Sequence, residues 1–214
     1  MKKGKNKFDK IIKMETKIKK PKEKIKEVPV TIQNINLVTS KFKIMGMTPL
    51  LMDKFPEDVK KEIEEKQTGV NQVKKKLRVI NKEIQQAVHR LPDGTIGFPS
   101  SAFKAGLIES TSFVGDKFFS KKKLKGIQIV NDVNGLVPIE FKKQTICVHS
   151  IQSNTKHTPQ FNDWSCVLAI QFDRNNISQE DIATLINYAG FYYGIGIWSP
   201  RCKSGGKYGM YKLA

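Results

Sequence analysis

Cysteine is scarce in this sequence. Three residues in 214, Cys147, Cys166 and Cys202, form an odd set with no metal-ligand spacing. That excludes a disulfide framework and points to free thiols in a reducing compartment. Histidine is equally thin, and His89, His149 and His157 are scattered. No run approaches 18 apolar residues, so no membrane-spanning helix is expected. The charged start MKKGKNKFDK is not followed by an apolar stretch, so it does not read as a signal peptide.

The familiar marks of catalysis are missing too. There is no Walker loop, nucleophile elbow, HExxH or CxxC. Glu57 and Asp58 look like a solvated helix start. Glu140, Asp163 and Asp173 stand singly on predicted strands or loops. His149 lies in an alternating strand and reads as a solvent-facing or hydrogen-bonded structural residue rather than a general base. No catalytic residue, cofactor or metal is expected.

Acid is in short supply. Twenty Asp and Glu stand against 38 Lys and Arg, a net charge of +18. Such a field favours polyanions, nucleic acid first and an anionic membrane second. Residues 1–27 hold twelve lysines and four acids, or +8, which leaves +10 on the other 187 residues. The first 27 residues read as a disordered basic arm, and residues 28–214 as one domain.

Along that domain, Val28, Val30 and Ile32 alternate as in a half-buried strand, and Lys41–Met45 alternates again before Gly46. A charged helix is predicted from about Glu57 to Gln67, and helical spacing continues over 70–91. Residues 54–90 therefore read as a helical insertion. Pro99-Ser100-Ser101 marks a helix start. Ile127–Val130, Leu136–Phe141, Thr145–Ile151 and Trp164–Asp173 read as strands, the first two joined by Asn134-Gly135. Ser178 with Asp181 opens a second helix, and Tyr208–Leu213 reads as a last strand. Without the insertion the order is βαββαβ: an α+β, ferredoxin-like antiparallel sheet with two helices on one face.

Three segments suit a polyanion. KSGGKYGMY offers glycines for close backbone approach (Gly205, Gly206, Gly209) and cations (Lys203, Lys207, with Arg201 just before). Its Tyr208 is a ring for stacking, and the nearby Trp198 reads either as a second or as core. Ser100, Ser101 and Lys104 cluster at a helix N-terminus, where free N–H groups favour phosphate. Lys117–Lys125 carries five lysines, Lys121, Lys122 and Lys123 among them, beside Phe118 and Phe119. Each segment has an ordinary reading as well: a Gly-rich hairpin, a capped helix, a solvated loop.

MGMTPLLMDKF, GFPSSAFKAGLIES, the stretch FNDWSCVLAIQFDRNNISQEDIATLINYAGFYYGIGIWSPR and GGKYGMYKL resemble a group of phage and prophage proteins without assigned activity. Ser199 stands where that group commonly has arginine. PSSAFKAGL and KSGGKYG are also distantly similar to CRISPR-associated backbone proteins of the RAMP superfamily. That resemblance implies an RNA-recognition-like fold, a projecting thumb and single-stranded RNA bound along a row of subunits. The expectation is a cytoplasmic protein of a bacterial host that binds single-stranded RNA or DNA mainly through phosphates, forms homo-oligomers on it and leaves membranes alone. A protein–protein module and a RAMP-like endoribonuclease using His149 or His157 are the rival readings.

Overall fold

The computed structural model describes residues 34–68, 79–114, 120–151 and 154–214. The basic arm and the strand expected at Val28–Ile32 lie outside them, as do Lys117, Phe118, Phe119 and part of the helical spacing over 70–91. The compact unit is Ile35–Ala214.

Strand β1 (Leu37–Gly46) alternates as its sequence demands. Phe42 and Ile44 are buried while Lys41, Lys43 and Met45 are exposed. Short β2 (Leu50–Leu51) follows. Helix α1 (Glu57–Gln67) buries no residue, so propensity and charge hold it more than packing does. Asp58 accepts from Lys82 at 3.0 Å and Gln86 at 2.9 Å, which ties α1 to α2 (Ile80–Gln86). Next come β3 (Gly97–Pro99) and α3 (Ser100–Val114), then one-turn α4 (Lys121–Leu124) and β4 (Gln128–Ile129).

Asn134 and Gly135 both have positive φ, 53° and 77°, as a tight hairpin turn requires. The turn does not join β4 to the next strand, as the sequence suggested. It closes a single Val133–Leu136 bridge, and β5 (Leu136–Pro138) pairs with β3 instead. Strand β6 (Lys143–Ile151) pairs along its length with β7 (Asn154–Asn162), a strand that sequence reading did not foresee. Strand β8 (Ser165–Asp173) buries Cys166, Leu168, Ile170 and Phe172 on the face its alternation predicts.

Helix α5 (Gln179–Tyr188) opens with a full capping box: Ser178 Oγ accepts from Asp181 N–H at 3.1 Å, and Asp181 accepts from Ser178 N–H at 3.0 Å. It widens into a π-turn at Ala189–Tyr193, closed by Gly194 N–H on Ala189 C=O at 2.9 Å. Strand β9 is only Tyr211–Leu213. Tyr208–Met210, expected to be strand, is loop, because Gly209 sits at φ 66° and Met210 C=O turns to accept from Met47 and Thr48.

The strands form α+β architecture with antiparallel sheets. One sheet runs β4-β8-β1-β9, a second β2-β7-β6, and β3 pairs with β5. Phe42, Ile44, Leu168 and Ile170 of the first sheet bury against Phe103 and Leu107 of α3 and Ile182, Leu185 and Ile186 of α5. Each such side chain contributes about 1.5–3 kcal/mol when removed from water. Rings meeting at an angle, with centroids about 6 Å apart, run from His89 through Phe98, Phe103 and Tyr211 to Trp164, whose indole N–H donates to Thr48 C=O at 2.9 Å. Among the described residues no helix is long and apolar enough to cross a membrane.

Candidate nucleic-acid interface

The closing loop, Gly194 to Met210, is tied down by its own backbone. Ile195 N–H donates to Gly209 C=O, Tyr208 N–H to Trp198 C=O, Ile197 N–H to Leu51 C=O and Gly209 N–H to Pro49 C=O, at 2.8–3.3 Å. These bonds seat the loop on β2. They also account for two of its glycines: a Cβ at Gly206 would run into the Trp198 carbonyl, and one at Gly209 into that of Ile195. Close approach at both positions is therefore used within the chain. Gly205, at φ 63°, faces open space.

Around this frame Arg201, Lys203 and Lys207 are exposed. Trp198 is 42% exposed and sits at φ 58°, a left-handed conformation rare for a bulky residue. Its indole lies 4.9 Å, centroid to centroid, from the His149 imidazole of β6. Tyr208 is half-buried beside Cys147; desolvation, then Cys147, raises its pKa. Lys156 pairs with Asp53 beside them. His149 is half-buried, and its Nε2 has no hydrogen-bond partner among the described residues. Burial, then the Lys156 charge, lowers its pKa despite Asp53. The loop thus presents a partly exposed Trp–His pair among three cations.

The helix start is differently employed. Ser100 Oγ donates to Asp132 at 2.5 Å, so a carboxylate already occupies the neighbourhood of the free N–H groups. Ser101 is exposed and Lys104 half-buried. Lys121 pairs with Glu109 at 2.5 Å. Lys122 and Lys123 are exposed and adjoin Leu37 and Asp173 around a cavity of about 290 Å³. They stand at the Leu37 end of β1, whereas the closing loop bonds residues just beyond its Gly46 end. The three predicted clusters therefore do not converge on one spot.

A further set of cations escaped the sequence reading. On the face of the first sheet turned away from α3 and α5, Lys41, Lys43 and Lys212 are exposed beside Met45 and Val167. Register puts Lys212 opposite Met45, hence diagonal to Lys43. A shallow cavity of about 210 Å³, lined by Lys43, Asn131, Glu140, Ser165 and Val167, opens on this face. The signal was the alternation itself: lysines interleaved with the buried Phe42 and Ile44. Among the described residues Lys60, Lys82, Lys121 and Lys156 have acidic partners. Among the described residues Lys41, Lys43, Lys212, Arg201, Lys203 and Lys207 have none, and no trio of potential ligands in the described set stands close enough to hold a metal ion.

A scan against protein-family models returns no match, and a search of curated proteins returns none.

Proposed function

We propose that the chain binds single-stranded RNA or DNA without catalysing its cleavage, chiefly through phosphate contacts. The observation that carries this reading is the set of unpaired exposed cations in two adjoining places. Arg201, Lys203 and Lys207 rim the closing loop. That loop ends at Met210, where β9 begins and carries Lys212 onto the sheet face of Lys41 and Lys43. Unpaired cations cost little to bring to a phosphate, since no internal ion pair has to break first. Trp198 supplies a ring on which one base can stack, worth about 1–3 kcal/mol. Among the described residues the lysine face holds no aromatic, so the mode is backbone neutralisation with little base readout.

We also read the four-stranded sheet with α3 and α5 as a βαββαβ core of the RNA-recognition type. Its support is the strand order β9-β1-β8-β4, the fourth, first, third and second strands of such a core, with a helix in each crossover. The rest are insertions. One of them carries α1 and α2, the thumb that the RAMP resemblance implies.

The test replaces Lys41, Lys43 and Lys212 by Gln in one variant and Arg201, Lys203 and Lys207 in another. Binding to labelled single strands is followed over a salt series, with and without residues 1–27. Each triple variant is expected to weaken binding and flatten the salt slope by about two units. Unchanged slopes in both variants would remove the reading.

One observation favours a protein partner as the second reading. Phe113, Phe191 and Tyr192 are 45%, 51% and 42% exposed, and Phe113 stacks on Tyr192 at 4.2 Å. Exposed aromatic clusters are common at protein interfaces. Under this reading bare nucleic acid binds only through the arm.

A further inference from the structure

The sheet β2-β7-β6 ends on β6. One bond fixes which of its backbone groups face outward. Met52 N–H donates to Pro159 C=O, so Pro159 and the odd residues of β7 turn toward β2. Thr158 and Gln160 then turn toward β6 and bond their register partners Cys147 and Thr145. The alternate residues Gln144, Ile146, Val148 and Ser150 aim their N–H and C=O groups at the free edge. Among the described residues nothing pairs with that edge.

Proteins blunt such edges with charge, proline or a bulge. Gln144–Ser150 contains no lysine, acid or proline. It instead exposes Ile146 by 51% and Val148 by 57%, on one face of the strand. We propose that β6 pairs antiparallel with β6 of a second copy of this chain, about a two-fold axis through Cys147. Self-complementarity selects this occupant. Only outward-facing residues bond across a shared edge. With the axis at Cys147, Ile146 of each copy opposes Val148 of the other, and Gln144 opposes Ser150. An axis at Ile146 or at Val148 leaves one of these apolar side chains against a polar one. The chosen register forms about eight N–H···O bonds, two for each of its four pairs. It buries four β-branched side chains against each other. The two Cys147 residues become direct opposites at a non-hydrogen-bonded site, Cα atoms about 4.5 Å apart.

Such an interface is isologous and closes on itself, unlike a head-to-tail row. It brings together two chains of charge +18, with the basic closing loop beside Cys147 in each. Repulsion therefore opposes the dimer, and salt favours it.

The inference is tested on the full chain by sedimentation equilibrium from about 0.1 to 1 M salt. A monomer–dimer equilibrium that tightens with salt is expected. Ile146→Lys and Val148→Lys, each at an exposed site, should weaken it at least about tenfold without lowering the melting temperature. A short bismaleimide, whose two double bonds each add one thiol, should link Cys147 across the dimer in a Cys202→Ser background and fail to do so once Val148→Lys is added. A chain that stays monomeric at every salt concentration overturns the proposal. So does a dimer that survives both lysine variants, or one in which Cys147 does not crosslink. Nucleic-acid binding weakens with salt, so its failure and this one are told apart.

Discussion

A side chain at Gly206 or Gly209 would collide with a carbonyl of the loop's own frame, whereas one at Gly205 would meet nothing. Gly206→Ala and Gly209→Ala should therefore each destabilise the fold by at least about 1–3 kcal/mol, and Gly209→Ala also places a Cβ at φ 66°. Gly205→Ala should cost only the left-handed conformation, about 1–2 kcal/mol. Urea titration of the three variants checks the order. The histidines give a second prediction. Burial lowers the pKa of His149, helped by Lys156, and that of His89, helped by Lys54. The unfolded chain takes up protons near 6.5 while these rings in the fold stay neutral, so their contribution to stability is complete above about pH 6.5 and declines as pH falls through it. The melting temperature should drop between about pH 7 and 5, and His149→Gln should flatten that drop. A drop that the variant leaves unchanged would exclude His149 from this linkage. Cys166, whose thiol burial pushes up to about 12, should resist alkylating agents that reach Cys202.

Element boundaries were legible where one local force dominates. The box of Ser178 and Asp181 marked the start of α5, and Ser178→Ala should cost about 1 kcal/mol in urea unfolding. The alternation in β8 named its buried face, and the charged helix expected from about Glu57 to Gln67 is α1. What stayed hidden depends on partners far along the chain. Strand β7, NTKHTPQFN, is polar and contains a proline, so its own pattern does not mark a strand. Pro159 is tolerated because only its carbonyl is needed, to accept from Met52. Asn134-Gly135 announced a tight turn correctly, but which strand follows on which was decided by β3. The site was legible in the same measure. Arg201, Lys203 and Lys207 are surface cations as the sequence suggested. The engagement of Ser100 with Asp132, 32 positions away, has no local signal.

At the scale of the whole molecule, the exposed cations of the described residues are distributed rather than focused on one groove. The lysine face and the closing loop adjoin through β9, while Lys122 and Lys123 lie at the other end of β1. A strand that follows Lys41, Lys43, Lys212 and the loop would neutralise about six phosphates. The β6 edge gives the molecule a second surface with the opposite response to salt. The most direct measurement is the affinity of residues 28–214 for labelled single-stranded RNA and DNA across a salt series, with duplex DNA alongside. The account predicts binding to single strands that survives loss of the arm, with a steep decline as salt rises, halved in slope by either triple Gln variant. Binding that vanishes with the arm, or that treats single strands and duplex alike, would contradict it.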